Sequence, residues 1–129
     1  MLSNPLLSNP RPLAYAPKPG TILCLLSDIN DPGSKGFVFG IGSKRFDMFI
    51  VRKNGAVFGY INSCPHLGTP LEFLTDKFLN KKKTSIVCFA HNAQFNIADG
   101  YCFAGPCTRE SLISVPLEIC DDQIKMGVR

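Results

Sequence analysis

The sequence predicts a mostly β protein, an antiparallel sandwich or barrel of short strands. Three observations carry that expectation. From Thr21 onward, runs rich in Val, Ile and Phe alternate with turns built from Gly, Asn and Asp. The stretch FIVRKNGAVFGYI places Asn54-Gly55 between two apolar runs, the pair that suits a tight primed hairpin turn. Only residues 70–74 have helical character, enough for little more than one turn.

In chain order, residues 1–20 come first and hold five of the ten prolines. They include LSNP twice, at 2–5 and 7–10, and read as a Pro-rich extended arm. That arm is either an inert leader or a strip laid over the domain through Leu13 and Tyr15. Residues 21–129 form the domain, with strands expected at 22–26, 37–41, 46–51, 57–62, 86–88, 95–97, 112–119 and 123–126. Pro116 inside the late run cannot donate to a ladder, so an edge or a bulge is expected there.

Size and composition narrow the function. A chain of 129 residues can bury one continuous core without staples. Charged residues make up 19 % and the formal charge is +4, too mild for a nucleic-acid footprint, and no basic stretch supports one. No apolar run reaches about eighteen residues, so no membrane anchor is expected. The opening residues have no early basic cluster and prolines break every apolar run, unlike a secretory signal. A cytoplasmic protein with reduced or metal-bound cysteines is therefore expected.

Against that background the two histidines are conspicuous, because each follows a cysteine closely. Cys64-Pro65-His66 and Cys88-Phe89-Ala90-His91 both fall where a strand run gives way to a loop. A thiolate and an imidazole two or three residues apart can turn towards one metal site. Two such pairs make a Cys₂His₂ set, used by a single tetrahedral zinc or by a two-iron, two-sulfide centre with cysteines on one iron and histidines on the other. A common zinc finger orders its ligands Cys, Cys, His, His and carries the histidines on a helix. The order here is Cys, His, Cys, His on two loops, so that each loop supplies one ligand to each side of a two-iron site.

These residues resemble the Rieske ferredoxins and Rieske domains. The family's first loop, Cys-x-His-x-Gly, is matched by Cys64, His66 and Gly68, and its second, Cys-x-x-His with an aromatic residue four further on, by Cys88, His91 and Phe95. A third loop carrying Gly-Pro covers the cluster in the family, matched by Gly105-Pro106. The resemblance implies a Rieske-like antiparallel β sandwich, with a cluster-binding subdomain at about 63–107 formed by two ligand loops and the Gly-Pro loop. It also implies one [2Fe-2S] cluster per chain, bound by Cys64, His66, Cys88 and His91. Two departures stand out: a long polar insertion at 75–85, and Asn92 where the family has Gly after its second histidine. Asparagine is the non-glycine residue that best tolerates the left-handed backbone such a turn needs.

The resemblance further implies a one-electron carrier, or the electron-entry subunit of a larger oxidoreductase system, working with a reductase or oxygenase partner. High-potential members donate hydroxyls to the cluster sulfurs from a serine and a tyrosine, where this chain has Ala93 and Phe95. Their inter-loop disulfide would fall at Thr69 and Ala90, which cannot form it. The expected potential is therefore at the low, ferredoxin-like end of a range of roughly −150 to +300 mV. Leu67 is the expected apolar lid beside the cluster, and the outer histidine nitrogens are expected to reach solvent.

Lys77, Lys81, Lys82 and Lys83 would form either a rim that draws in an acidic redox partner or a plain solvated turn. Cys24 and Cys120 read as core thiols. Cys102 and Cys107 bracket the Gly-Pro loop and read as reduced, packed thiols, with a disulfide as the alternative. A zinc-stapled interaction module with no redox role is the competing function. A self-contained oxygenase is excluded, because its second iron needs two further histidines.

Overall fold

The computed structural model describes residues 12–65 and 68–128. Ten strands form three antiparallel sheets: β1 (Ile22–Leu25), β2 (Gly33–Phe39), β3 (Phe46–Lys53), β4 (Ala56–Ile61), β5 (Ile86–Cys88), β6 (Ala93–Phe95), β7 (Cys102–Ala104), β8 (Ser114–Val115), β9 (Leu117–Cys120) and β10 (Gln123–Met126). The central sheet runs β2-β3-β4-β8, flanked by β1-β10-β9 and by β5-β6-β7.

β3 explains the layering. Met48, Phe49, Ile50 and Val51 are all fully buried, although successive strand residues point to opposite faces. Phe49 and Val51 belong to the core that contains Cys64, Cys88 and Phe95. Met48 and Ile50 belong to a second core with Ile124 and Met126. A strand apolar on both faces can only lie between two layers. Leu13 and Ala16, from the end of the Pro-rich arm, pack on the second core, while Tyr15 stays exposed. The rest of the arm, residues 1–11, lies outside the described residues.

The Asn54-Gly55 turn forms as its sequence predicts, both residues having positive φ. The Asp31 carboxylate accepts both of their amide N–H groups at 2.8 Å, which locks the hairpin. Pro116 breaks the late run where expected: Val115 pairs with Gly59 in the central sheet, and Leu117 pairs with Met126 in another. One chain segment thereby joins two layers at a proline corner.

Three local expectations are corrected. Residues 70–74 are not helical, because their backbone groups bond elsewhere: the Leu71 N–H donates to Asn62 Oδ1 and the Leu71 carbonyl accepts from Phe89 N. The only helical turns among the described residues are 3-10 turns at Leu26–Asp28 and Gly42–Lys44. The strand expected at 95–97 instead starts at Ala93, directly after the left-handed Asn92 (φ 57°). β2 spans Gly33–Phe39 rather than 37–41, stopping at the left-handed Gly40.

Candidate metal centre

β4 and β5 aim the two ligand loops at one another. β4 ends at Ile61, and Cys64 follows in a closed loop in which its N–H donates to Thr69 O at 2.8 Å and its carbonyl accepts from Gly68 N at 2.7 Å. Asn62 anchors this loop through two hydrogen bonds, accepting from Leu71 N and donating to Glu72 Oε1. β5 ends at Cys88, whose carbonyl accepts the His91 N–H at 3.3 Å, turning the chain so that Asn92 leads into β6. The Phe89 N–H to Leu71 carbonyl bond, 3.0 Å, ties the second loop to the segment leaving the first.

The ligand atoms of Cys64, Cys88 and His91 all lie within 4.8 Å of one another. Cys88 Sγ is 3.5 Å from His91 Nδ1. Both thiols are fully buried and His91 is half-buried. Burial pushes the Cys88 thiol up, helped by the neighbouring Cys64 sulfur, so a metal that binds here must displace protons. His66 and Leu67 lie outside the described residues.

The surroundings are apolar. Ala93 and Phe95 are fully buried in the core that holds both thiols. The Gly-Pro loop closes over Ala93: Gly105 has φ +96°, and a Cβ on it would sit 2.7 Å from Ala93 Cα. Pro106 is exposed on the outside of that loop. Cys102 and Cys107, one in β7 and one beyond the loop, bring their sulfurs to 2.7 Å.

Sequence reasoning missed several supports. Phe78, inside the polar insertion, is fully buried and stacks on Phe49 with ring centroids 4.3 Å apart. Tyr60, also buried, donates its hydroxyl to the Ile97 carbonyl, joining β4 to the turn after β6. A polar residue two positions before a ligand cysteine was the available signal for Asn62.

Burial, reinforced by the negative charge of Asp99, pushes the Tyr60 hydroxyl up to about 12 from an ordinary 10.0. The unfolded chain thus loses this proton first, and its contribution to stability is intact below pH 10 and is lost between pH 10 and 12. Comparing melting midpoints of the wild type and Tyr60→Phe across that window should show about 1–2 kcal/mol of extra alkaline loss in the wild type. Parallel profiles would contradict it.

Lys81, Lys82 and Lys83 do not rim the ligand loops. Asn80 Oδ1 accepts from the Thr84 and Ser85 amides, making 80–85 a closed turn with Lys81, Lys82 and Lys83 exposed at its tip. Lys53 Nζ donates to the Lys83 carbonyl at 2.8 Å, fixing that tip beside the Asn54-Gly55 turn. That is the opposite end of β4 from Cys64, a strand length of about 17 Å away. Phe89 and Ala90, inside the second ligand loop, are exposed, and so is Phe73 beyond the first.

Two buried thiols and an imidazole converging from two loops on a β scaffold form a group that could hold a metal ion. A family model for the Rieske [2Fe-2S] domain matches residues 21–119, and the chain belongs to that family. Its members carry one [2Fe-2S] cluster per chain. The donor set fits that group: soft sulfur and imidazole ligands meet in a pocket with apolar walls.

No curated protein matches the chain. Among solved structures it is similar to the ferredoxin of carbazole 1,9a-dioxygenase from Nocardioides aromaticivorans IC177, with 16 % identity, a TM-score of 0.65, and coverage of 87 % of this chain and 100 % of that one. It is similar to the Sphingomonas yanoikuyae B1 ferredoxin at 24 % identity and TM-score 0.63, covering 85 % and 99 %. A longer chain from a complex of carbazole-bound oxygenase and ferredoxin of carbazole 1,9a-dioxygenase aligns at 18 % identity and TM-score 0.69, covering 86 % of this chain and 29 % of that one. At these identities the likeness is one of fold. No helix among the described residues is long and apolar enough to cross a membrane.

Proposed function

We propose that this chain is a one-electron carrier in which Cys64, His66, Cys88 and His91 bind the [2Fe-2S] cluster, the cysteines on one iron and the histidines on the other. The single observation that carries this reading is the convergence of Cys64, Cys88 and His91 from two loops within 4.8 Å. The bound cluster would supply reversible uptake of one electron. The chain's own residues hold it in place: β4 and β5 deliver the thiols, the Asn62 clamp fixes the first loop, and Asn92 turns the second.

The cluster-binding subdomain is about 63–107, set on the domain 21–129. The partner is a reductase or an oxygenase; an oxygenase is supported by the fold shared with chains from ferredoxin–oxygenase complexes. Docking would involve the apolar surface around Phe89 and Ala90 rather than the lysine tip. The chain transfers electrons without catalysing a reaction of its own. A cytoplasmic setting is supported by cysteines given to a metal site rather than to a framework of structural disulfides.

The low end of the potential range follows from Ala93 and Phe95, neither of which has a hydroxyl to give to a cluster sulfur. Protein produced with ample iron and sulfur should be brown and contain iron and acid-labile sulfide in equal amounts. Its midpoint should fall in the lower part of the window of roughly −150 to +300 mV. A colourless protein with one zinc per chain would instead establish a structural module, and a midpoint near the upper limit would refute the tuning argument.

A further inference from the structure

Cys102 and Cys107 take no part in the proposed electron carrier, yet they are the most closely placed pair of reactive side chains outside the ligand set. Both are fully buried and their sulfurs are 2.7 Å apart. The backbone enforces this contact. The Cys102 N–H donates to Glu110 O at 2.8 Å, and the Cys102 carbonyl accepts from Arg109 N at 3.2 Å. The Glu110 N–H in turn donates to Cys107 O at 2.9 Å, and Thr108 N and Oγ1 both donate to Gly105 O. The segment 102–110 is therefore a closed turn with its two thiols facing each other across the inside. The Cys102 S–H also reaches the Ala104 carbonyl at 3.2 Å. A covalent link between the sulfurs needs side-chain adjustment and no rearrangement of these backbone bonds.

We propose that Cys102 and Cys107 form a dithiol–disulfide pair that closes by exchange with a low-molecular-weight disulfide of the glutathione type. One cysteine sulfur attacks a sulfur of oxidised glutathione, giving a mixed disulfide and releasing one glutathione. The other cysteine attacks the protein sulfur of that mixed disulfide and releases the second. Two S–H bonds on the protein are lost and one S–S bond forms; the two protons and two electrons end on two glutathione thiols.

The location gives the bond a consequence. The turn it would brace carries Gly105 against Ala93, at the back of the second ligand loop. Closure would fix that contact covalently. Both sulfurs are fully buried, which bars a glutathione molecule from reaching them while the turn is shut. Exchange must therefore follow transient opening of the turn, whose outer residues Phe103, Thr108 and Arg109 are exposed. Cys120, expected as a core thiol, is instead exposed at the end of β9 and offers the internal contrast, since it has no partner placed to expel glutathione.

The test uses the full chain with its metal centre loaded, equilibrated in buffers of graded oxidised-to-reduced glutathione ratio. Samples are then unfolded in acid, alkylated and analysed by mass spectrometry. The expected result at oxidising ratios is a chain that carries two fewer alkyl groups and is lighter by a further ~2 Da, with Cys102 and Cys107 unalkylated and Cys120 alkylated or glutathionylated. In the tryptic peptide ending at Arg109, backbone fragments between the two cysteines should be missing until the sample is reduced. In Cys107→Ser the mass loss should vanish and Cys102 should become fully alkylatable. Full alkylation of both cysteines at every ratio overturns the proposal. So does stable glutathionylation of either one, or a mass loss that survives in Cys107→Ser. The pairing is scored on sulfur alone, so it stands or falls independently of what metal the ligand loops hold.

Discussion

Cys88→Ala should yield a folded, colourless protein whose iron and sulfide both fall below about a tenth of the wild-type content. Cys88 contributes two separable things. As a packed side chain it fills a small part of the core at the end of β5, fully buried beside Cys64 and Ala93. Trimming a thiol to a methyl there costs on the order of 1 kcal/mol, because the void is small. The sheet β5-β6-β7 remains anchored by Ile86 paired with Phe95, both fully buried. As a proposed ligand, its removal leaves one iron short of a thiolate that no described carboxylate or spare imidazole stands ready to replace. The loss of metal should therefore far exceed the loss of stability. Cys24→Ala and Cys120→Ala are the matched controls: one lies in β1 and the other at the end of β9, both outside the ligand group. They should keep the full complement of iron and sulfide. Retention of visible absorbance in Cys88→Ala, or its loss in Cys120→Ala, would remove Cys88 from the site.

The meeting of Cys64, Cys88 and His91 was legible in the sequence because the chemistry of such pairs is local. Thiol and imidazole two or three residues apart carry their meaning in the spacing, and the order across the two pairs separates one metal arrangement from another. The Asn54-Gly55 hairpin and the Pro116 corner were legible for a similar reason, since each depends on the φ preference or missing N–H of a named residue. What could not be read was long-range. β7 has three residues between Gly100 and Gly105, too few to show alternation, and exists because Phe95 pairs with Cys102. Phe78 sits among lysines and polar residues and gives no periodic signal, yet it is the residue that pins the insertion to Phe49. Once pinned there, the insertion carries its lysine tip away from the ligand loops, towards Lys53. A charge run seen in sequence next to a motif is thereby held one strand length away from it, beside the Asn54-Gly55 turn.

Gly105→Ala should damage the centre from outside its ligand set, lowering cluster content several-fold and the melting temperature by several degrees. Two costs act together at this position. The backbone is left-handed, φ +96°, a conformation that L side chains rarely adopt, costing roughly 1–2 kcal/mol. In addition the new Cβ would meet Ala93 Cα at 2.7 Å and Ala93 N at 3.1 Å. These are backbone atoms of a strand paired on both sides, so they cannot swing aside as a flexible side chain would. The third loop must lift instead, opening the apolar wall behind the second ligand loop and admitting water to the thiols. Gly55→Ala provides the comparison. It is also left-handed, at φ +81°, but nothing lies within 4 Å of its virtual Cβ. It should therefore lose stability from the backbone cost alone and keep its iron. If Gly105→Ala and Gly55→Ala lost equal amounts of iron, the damage would be general destabilisation. A selective loss in Gly105→Ala, together with faster bleaching of the visible bands by a chelator, would show that the close approach of the Gly-Pro loop to Ala93 is what shields the cluster.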